Sequence, residues 1–393
     1  MMTNKAYDVV VIGAGVIGTS TAYHLVKKGL SVALVDRSDV ARGTSSHCDA
    51  MAMLTDKQPG ADAALGYASI LRFLELQKEL SYDFECRQEG SLYVCENDFQ
   101  LELATKYVKQ MQSEGYDVHI ADPYELHERE PFLARDLTGG IWSSVDCGLN
   151  PYKLCFAFVD QVLGKGLDLY THNPVTGIKL DEKGAVCGVE TEKGTLITNK
   201  VVNACGVWSN IIGDMVGVNI PVLPRKGVIL ITNATSPICH QKVQDYAYND
   251  VKFGSSGYKL DPDVEKYNIA FTIEPTRGNT VLVGSSRNFM GYSVKAELDV
   301  ARAIAKRAIR FYPILKDMNC IRTYAGLRPF LEDHLPLITD VEKVPGFYIA
   351  TGHEGDGISM APMTGQLMAE LIAGEKPYLD ITPFSYSRYD KKN

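Results

Sequence analysis

A glycine-rich segment near the N-terminus has the spacing of a turn that binds phosphate. The segment consists of Gly13, Ala14, Gly15, Val16, Ile17 and Gly18. The first glycine permits a sharp turn, the second lets the backbone approach a pyrophosphate, and the third lets a following helix pack closely on the preceding strand. Because backbone N–H groups at a helix N-terminus attract anions, the segment predicts a dinucleotide-binding site.

The flanking residues are typical of the elements that such a turn requires. Residues 8–12 form the β-branched run of a buried strand, residues 16–28 are expected to be helical, and residues 31–35 form a second apolar strand. Asp36 follows that strand, where its carboxylate can accept hydrogen bonds from an adenosine ribose. We predict that Asp36 and its neighbour Arg37 contact the cofactor. The carboxylate disfavours the 2′-phosphate of NADP, but the motif does not distinguish NAD from FAD.

Two segments in the first half of the chain bear on that choice. The first is a loop of small hydroxyl residues that can donate to phosphate oxygens, comprising Gly43, Thr44, Ser45 and Ser46. The second, residues 175–209, alternates short apolar runs with Lys-Gly turns and is predicted to form several strands. We assign Val175, Cys205 and Gly206 from this second segment to the cofactor site.

A segment near the C-terminus has the same order of predicted elements as the first motif. Residues 347–350 are expected to form a strand, which is followed by a glycine-rich turn and a helix that ends at Gly374. The residues assigned to the cofactor site are Gly352, Gly355, Asp356, Gly357 and Ile358. A helix N-terminus there would stabilise the negative charge of a reduced isoalloxazine ring. A cofactor bound near both ends of the chain favours FAD over NAD.

These segments together resemble the D-amino-acid oxidase family of FAD enzymes. The family includes glycine and sarcosine oxidases and the flavin subunits of opine, proline and hydroxyproline dehydrogenases. The glycine motif is common to many flavoproteins, but "NACGVWS", "TGHEGDGISMAPMTG", and "AGLRP" followed by Asp333, Leu335 and Pro336 resemble more specific family signatures. The likeness extends over nearly all 393 residues.

The resemblance implies an α/β (α+β overall) fold with two domains. A Rossmann-like FAD-binding domain would be assembled from discontinuous segments, beside a substrate domain built on an antiparallel sheet. We assign residues 1–85, 146–220 and 325–393 to the FAD-binding domain. Residues 86–145 and 221–324 are assigned to the substrate domain.

The resemblance also implies the reaction, in which a hydride moves from the carbon bearing an amine to flavin N5 and the resulting imine hydrolyses. Arg328 matches the family's carboxylate-binding arginine, since a guanidinium can hold both oxygens of a substrate carboxylate. The alternative is an ion pair of Arg328 with Glu332 or Asp333. Tyrosines that could line the substrate pocket are Tyr246, Tyr248 and Tyr324.

Two histidines keep a second substrate class open. A 2-hydroxy acid would need a base for its hydroxyl proton, and His353 or His47 could supply it. We favour a hydrogen bond to the cofactor or backbone for both, because an amine needs no such base. A third alternative is a flavin-binding electron-transfer subunit without its own substrate site.

Composition and charge exclude several other classes of protein. A net charge of −8 argues against a nucleic-acid partner, and no segment approaches the roughly 20 apolar residues of a membrane-spanning helix. Nine cysteines without a CxxC pair predict no metal or iron–sulfur site on this chain and favour the cytoplasm. Electrons would leave to oxygen or to an iron–sulfur or FMN partner subunit. The stretch "TSSHCDAMAMLTDKQPG" resembles the heteromeric dehydrogenase subunits more closely.

Overall fold

The structure, a computed structural model, describes residues 5–253 and 261–390. Its strands within these ranges are β1 (Lys5–Ala6), β2 (Val9–Ile12), β3 (Val32–Val35), β4 (Met51–Ala52), β5 (Arg87–Gln88), β6 (Ser91–Cys95), β7 (Val118–Ala121), β8 (Gly139–Ser143), β9 (Cys147–Gly148), β10 (Leu167–Tyr170), β11 (Val175–Leu180), β12 (Val186–Thr191), β13 (Gly194–Ile197), β14 (Val201–Asn203), β15 (Leu223–Thr232), β16 (Lys242–Asp245), β17 (Ile269–Pro275), β18 (Val281–Ser286), β19 (Cys320–Phe330), β20 (Leu337–Asp340) and β21 (Phe347–Thr351).

The α-helices of the same ranges vary from four to nineteen residues in length. They are α1 (Val16–Lys27), α2 (Ala61–Glu79), α3 (Asp98–Ser113), α4 (Pro123–Arg129), α5 (Pro151–Val162), α6 (Ser209–Asp214), α7 (Ala247–Phe253), α8 (Pro262–Tyr267), α9 (Leu298–Phe311), α10 (Gly357–Ala373) and α11 (Ser387–Asp390).

A six-stranded sheet brings both ends of the chain together. Its strand order is β10-β3-β2-β14-β21-β20, and every neighbouring pair is parallel except β20 with β21. The short apolar strands β2, β3 and β14 are fully buried, as expected of a parallel sheet covered on both faces. Because β2 and β21 flank β14, the turns that follow them lie at the same edge of the sheet.

Helices α1 and α10 pack together against this sheet. They approach closely where Gly365 meets Ser20, since a Cβ at Gly365 would lie 2.3 Å from Ser20 Oγ. The Ser20 hydroxyl donates to the Ala361 carbonyl at 2.8 Å. The two helices that follow the glycine turns are therefore held side by side, with their N-termini directed at one region.

A second, eight-stranded sheet forms the other layer, in the order β19-β15-β18-β17-β16-β6-β8-β7. The prediction of an antiparallel sheet holds for every neighbouring pair but one, because β16 pairs with β6 in parallel. That parallel pair joins strands from two separate segments of the chain, so no hairpin constrains their direction. Strand β19 crosses the predicted domain boundary at residue 325, and the domain division stays a prediction.

The predicted elements around the cofactor segments are confirmed with small shifts at their ends. Residues 175–209 form four strands, of which β11, β12 and β13 join β1 in a separate four-stranded sheet. Helix α10 ends before Gly374, whose positive φ of 71° suits a left-handed cap. None of the helices described combines the length and hydrophobicity required to cross a lipid bilayer.

Candidate active site

The first glycine turn connects β2 to α1 and excludes side chains at two positions. Gly13 has a φ of 106°, and a Cβ at Gly18 would lie 1.8 Å from the Gly13 carbonyl oxygen. Helix α1 begins after Gly15, which supplies no side-chain cap to its first N–H groups. Val16 N donates to Ser45 Oγ, and the N–H groups that follow it, together with the positive end of the helix, are suited to a pyrophosphate.

Asp36 lies beside this turn, at the carboxyl end of β3. Its Oδ2 accepts a hydrogen bond from Ala14 N at 2.7 Å and its Oδ1 accepts one from Ser38 N at 2.7 Å. A carboxylate oxygen can accept more than one hydrogen bond, so both oxygens remain able to accept from ribose hydroxyls. The neighbouring Arg37 guanidinium lies over the Trp208 ring, 4.3 Å from its centroid.

The hydroxyl loop contributes less to the site than its composition predicts. Thr44 donates to the Leu327 carbonyl at 2.6 Å, and Ser46 donates to the Gly43 carbonyl at 3.3 Å. Ser45 instead accepts from Val16 N at 3.0 Å, which leaves its own hydroxyl proton available. Ser45 is thus the member of this loop best placed to donate to a phosphate at the start of α1.

A cavity of about 340 Å³ extends from this turn to the C-terminal glycine turn. It collects most of the predicted site residues, namely Gly13, Gly15, Val16, Ile17, Asp36, Arg37, Gly43, Thr44, Ser45, His47, Val175, Cys205, Gly206, Arg328, His353, Gly355, Gly357 and Ile358. The predicted residues outside its lining are Ala14, Gly18, Ser46, Gly352 and Asp356. Tyr246, Tyr248 and Tyr324 do not line it either.

The second glycine turn connects β21 to α10. A Cβ at Gly352 would lie 2.2 Å from a methyl carbon of Leu331, and the φ of Gly352 is 84°. Glu354 has a φ of 47°, in the left-handed region that usually favours glycine. Helix α10 begins at Gly357, and the preceding Asp356 gives its first N–H groups no side-chain cap, so these donors are suited to an acceptor outside the helix.

Asp356 stabilises this turn through a buried cluster of ions. Its carboxylate accepts from Lys57 Nζ at 3.0 Å and from Lys252 Nζ at 2.9 Å, and Asp56 completes the cluster. Burial opposes ionisation of Asp356, but the two ammonium groups hold the pKa of its carboxyl well below its usual range. The carboxylate of Asp356, which we assigned to the cofactor site, therefore binds two lysines instead.

Glu354 is the centre of a second buried cluster, which the sequence did not reveal. Its Oε1 accepts from Arg287 Nε at 3.3 Å and from Arg225 Nη1 at 3.5 Å. Burial would raise the pKa of Glu354, but Arg287, Arg328 and Arg225 lower it. Arg225 and Arg287 come from β15 and from the end of β18, far away in sequence, and nothing local marks them as site residues.

Arg328 lines the cavity from β19. Its Nη1 donates to the Ser286 carbonyl at 2.9 Å and its Nη2 donates to Ser285 Oγ at 3.1 Å. The alternative ion pair is wrong for Asp333, which accepts from Arg388 Nε at 2.6 Å instead. Within the ranges that the structure describes, Arg328 forms no ion pair with an acid.

The guanidinium of Arg328 lies flat across β15, and a glycine makes room for it there. A Cβ at Gly227 would lie 2.2 Å from Arg328 Nη1 and 2.6 Å from Cζ. Gly227 lines the same cavity and pairs with Gly326 across the two strands. The orientation of the arginine thus depends on the absence of a side chain at Gly227.

Both candidate histidines lie in the cavity wall. His353 is buried, its Nε2 lies 3.0 Å from Thr364 Oγ1, and burial lowers its pKa to about 3. His47 Nδ1 lies 3.0 Å from the Gly43 carbonyl oxygen and 3.0 Å from Ser46 Oγ. The two imidazoles are therefore bonded to the protein framework through one nitrogen each.

The donors and acceptors of the cavity fit FAD. Asp36 would supply acceptors for a ribose, the start of α1 beyond Val16 N would supply donors for a pyrophosphate, and the start of α10 would supply donors for an electron-rich ring edge. All three features border one continuous cavity.

Comparison with known proteins gives the same cofactor. The family described as DAO, FAD dependent oxidoreductase, matches residues 8–371. The chain is 27% identical to hydrogen cyanide synthase subunit HcnC of Pseudomonas aeruginosa, covering 98% of this chain and 97% of that protein. It is 27% identical to glycine oxidase of Bacillus subtilis, covering 95% and 94%.

Solved structures agree with the fold. L-proline dehydrogenase from P. horikoshii superposes with a TM-score of 0.89 over 99% of both chains at 23% identity. The protein is an enzyme that binds FAD and oxidises an amino acid or an amine. The match over 8–371 covers most of the 393 residues, and the chain therefore belongs to the DAO family of FAD-dependent oxidoreductases.

Proposed function

We propose that this enzyme acts on an amino acid or secondary amine whose carboxylate is bound by Arg328. The FAD supplies the hydride acceptor for the carbon bearing the amine, which becomes an imine that water hydrolyses. One observation supports the role of Arg328 above all others. Its guanidinium borders the cavity between the two glycine turns and forms no ion pair with an acid of the described chain, so it is available to a carboxylate.

The remaining residues would orient the substrate and exclude water. Ser285 and Ser286 accept hydrogen bonds from the Arg328 guanidinium, and Gly227 leaves room for it on β15 because it has no side chain. The apolar side chains of Ile229 and Ile358 line the cavity and reduce its hydration. Such a site positions the reacting carbon and leaves electron transfer to the cofactor.

His353 is poorly suited to act as the base that a 2-hydroxy acid would need, which favours an amine. A general base works best when its pKa is near the operating pH. Burial lowers the pKa of His353 to about 3, which makes it a weak base at neutral pH. An amine can lose its proton before it binds and does not depend on such a base.

We further propose that the chain is the catalytic subunit of a heteromeric dehydrogenase in the cytoplasm. Two observations support a partner subunit. The stretch at residues 44–60 resembles the heteromeric dehydrogenases, and the relative HcnC is itself named as a subunit. All nine cysteines are unpaired, which is typical of a reducing compartment.

Anaerobic reduction of the purified holoenzyme tests the substrate class. Oxidised flavin absorbs near about 450 nm, and this band should bleach with amino acids or secondary amines. Bleaching by 2-hydroxy acids alone would overturn the proposal, and no bleaching by any of the three classes would indicate a subunit without a substrate site. Faster turnover with an artificial dye than with oxygen would support a dehydrogenase.

The substitution Arg328→Met tests the carboxylate site. We expect KM for a carboxylate substrate to rise at least about tenfold, the loss of one charge-assisted bidentate pair. Arg388→Met is the matched control, because Arg388 binds Asp333 outside the cavity lining. Equal KM values in the two variants would make Arg328 a structural residue.

A further inference from the structure

Asp49 is an acid in the cavity wall that the proposed function does not use. It lines the same cavity as Arg328, and 25% of its side chain is exposed. Its Oδ2 accepts from Lys242 Nζ at 2.7 Å, whereas its Oδ1 is accessible and has no hydrogen-bond partner among the described residues. One carboxylate oxygen of Asp49 is therefore held by the protein, and the other is available to a ligand.

Strand β19 brings Asp49 to the side of the cavity that contains Arg328. The hydroxyl of Tyr324 donates to the carbonyl of Cys48, the residue before Asp49, at 3.0 Å. Tyr324 and Arg328 are separated by an even number of residues along β19, so their side chains lie on the same face of the strand. Arg328 is close enough to lower the pKa of Asp49, although the two side chains form no ion pair. The wall thus presents a carboxylate and a guanidinium that are not paired with each other.

Asp49 is ionised at neutral pH and is the outer acid of a small cluster. Burial would raise the pKa of its carboxyl, but Lys242 and Arg328 hold it below its usual range. Lys242 is buried between two acids, because its Nζ also lies 3.6 Å from Glu274 Oε2. Glu274 is buried and does not line the cavity. Asp49 is therefore the acid of this cluster that a ligand in the cavity can reach.

We infer that Asp49 binds the amino group of the substrate while Arg328 binds its carboxylate. This inference rests on the proposed role of Arg328 and deepens it. An α-amino acid has one group of each kind on the same carbon, and two contacts on either side of that carbon fix its orientation. Because Lys242 balances the charge of Asp49, the amino group does not have to be positively charged to bind there. It can therefore be unprotonated when the hydride leaves the neighbouring carbon.

The test compares acids in which a methyl or methylene group replaces the nitrogen. Glycine is paired with propanoate, and DL-proline with cyclopentanecarboxylate. The holoenzyme is reduced with dithionite and kept without oxygen, so that no amino acid is oxidised, and binding is measured by titration calorimetry. In at least one pair we expect the amino acid to bind at least about tenfold more tightly, the effect of one hydrogen bond to a charged group. Equal dissociation constants within both pairs, or no binding of either amino acid, would overturn the inference.

Variants assign the preference to Asp49. In Asp49→Asn the preference should fall at least about fivefold, while the nitrogen-free acid should bind as tightly as before or more tightly, because an acid near its carboxylate has been removed. Glu274→Gln is the matched control, since it also removes one acid from Lys242 but from outside the cavity lining, and it should keep the preference. An equal loss of preference in the two variants, or a full preference in Asp49→Asn, would contradict the assignment.

A third variant covers the case in which Asp49→Asn does not retain FAD. Asp49→Glu keeps the charge but displaces the carboxylate by one methylene group. The preference for the amino acid should then change at least about threefold while the nitrogen-free acid binds within about twofold of wild type. A preference equal to that of the wild type would contradict the role of Asp49.

The same titrations separate failure of this inference from failure of the proposed function. Weaker binding of both acids of a pair in Arg328→Met, without a preference in the wild type, would keep Arg328 as the carboxylate site and remove only the role of Asp49. Unchanged binding of both acids in Arg328→Met would remove both roles.

Discussion

The two glycine turns occupy equivalent places in the fold but are stabilised in different ways. Both follow a parallel strand, and both lead into a helix whose N-cap residue makes no side-chain cap hydrogen bond. The first turn is stabilised by backbone contact, since Gly18 packs directly on the Gly13 carbonyl. The second is stabilised by buried ions, with Glu354 on arginines and Asp356 on lysines.

This difference fits the two halves of the cofactor that the turns would contact. A pyrophosphate has a constant charge, and a rigid backbone cradle with fixed dipoles is sufficient to bind it. A flavin ring gains and loses negative charge during turnover, and it also lies beside the substrate. Ionic clusters behind the second turn would place charged groups near both, which a backbone cradle does not do.

The largest expected effect comes from comparing a glycine-to-alanine substitution in the first turn with one in the second. In Gly18→Ala the new Cβ would lie 1.8 Å from a carbonyl oxygen, so the turn must deform. We expect FAD content to fall at least about tenfold and stability to fall by more than about 4 kcal/mol. In Gly357→Ala the nearest atom is His353 Cβ at 3.6 Å, and the apoprotein should remain within about 1 kcal/mol of wild type.

Absorbance at the flavin band and urea unfolding of the apoprotein measure these two effects. Gly184→Ala is a further control, since Gly184 has a φ of 77° but no atom within 4 Å of its Cβ position. Its cost should be about 1 kcal/mol, from backbone conformation alone. Normal FAD content in Gly18→Ala would show that the first turn tolerates a side chain and that the contrast is wrong.

The next largest effect, on the free energy of unfolding, is expected when one buried charge next to the second turn is removed. Asp356→Asn leaves Lys57 and Lys252 short of one buried carboxylate. Breaking a buried ion pair from one side costs about 3–5 kcal/mol, and we expect a loss of that size in the free energy of unfolding. Urea unfolding measures it, and Asp356→Asn combined with Lys252→Met should recover part of the loss. Additive losses in the double variant would show that the two residues are not coupled.

This contrast also explains which features the sequence could predict. The first turn depends on residues within about one βαβ unit, so local spacing is sufficient to identify Asp36 and the glycines. The parallel strands and α1 follow from the same short stretch. Convergence of residues 352–358 on that turn was a prediction from the repeated glycine pattern, and the shared cavity confirms it.

The ionic clusters could not be predicted in this way. Lys57 and Lys252 lie 195 residues apart, and Arg287 lies 67 residues from Glu354. Nothing in local periodicity distinguishes a buried lysine from a surface one, because both stand among ordinary polar residues. One signal was available in the sequence, an acid at position 354 within a glycine-rich turn, and the structure shows that its backbone adopts a φ of 47° that glycine adopts more easily. A charged residue in a strained position often has a functional reason.

A smaller effect, on KM, is expected when the position of Arg328 beside the second turn is disturbed. In Gly227→Ala the added Cβ would lie 2.2 Å from Arg328 Nη1, which is the movable end of a side chain. The fold should survive while the guanidinium shifts, so KM for a carboxylate substrate should rise about tenfold with kcat less affected. Gly278→Ala is the matched control, because its Cβ would approach nothing closer than 3.8 Å. Unchanged KM in Gly227→Ala would mean that Arg328 can bind from another position.

The smallest expected effect is a pH dependence confined to the second turn. Arginines lower the folded-state pKa of Glu354 from about 4.5 to about 2, against the opposing effect of burial. A carboxyl group with a lowered folded-state pKa contributes stability above its usual pKa, and this contribution is lost as pH falls toward the folded value. The difference in Tm between wild type and Glu354→Gln should therefore shrink between about pH 4.5 and pH 2.5. The exposed Glu332→Gln is the control, measured over the same range. If the Tm difference for Glu354→Gln stays constant with pH, the arginines do not stabilise the ionised carboxylate, and the second turn is held by its backbone like the first.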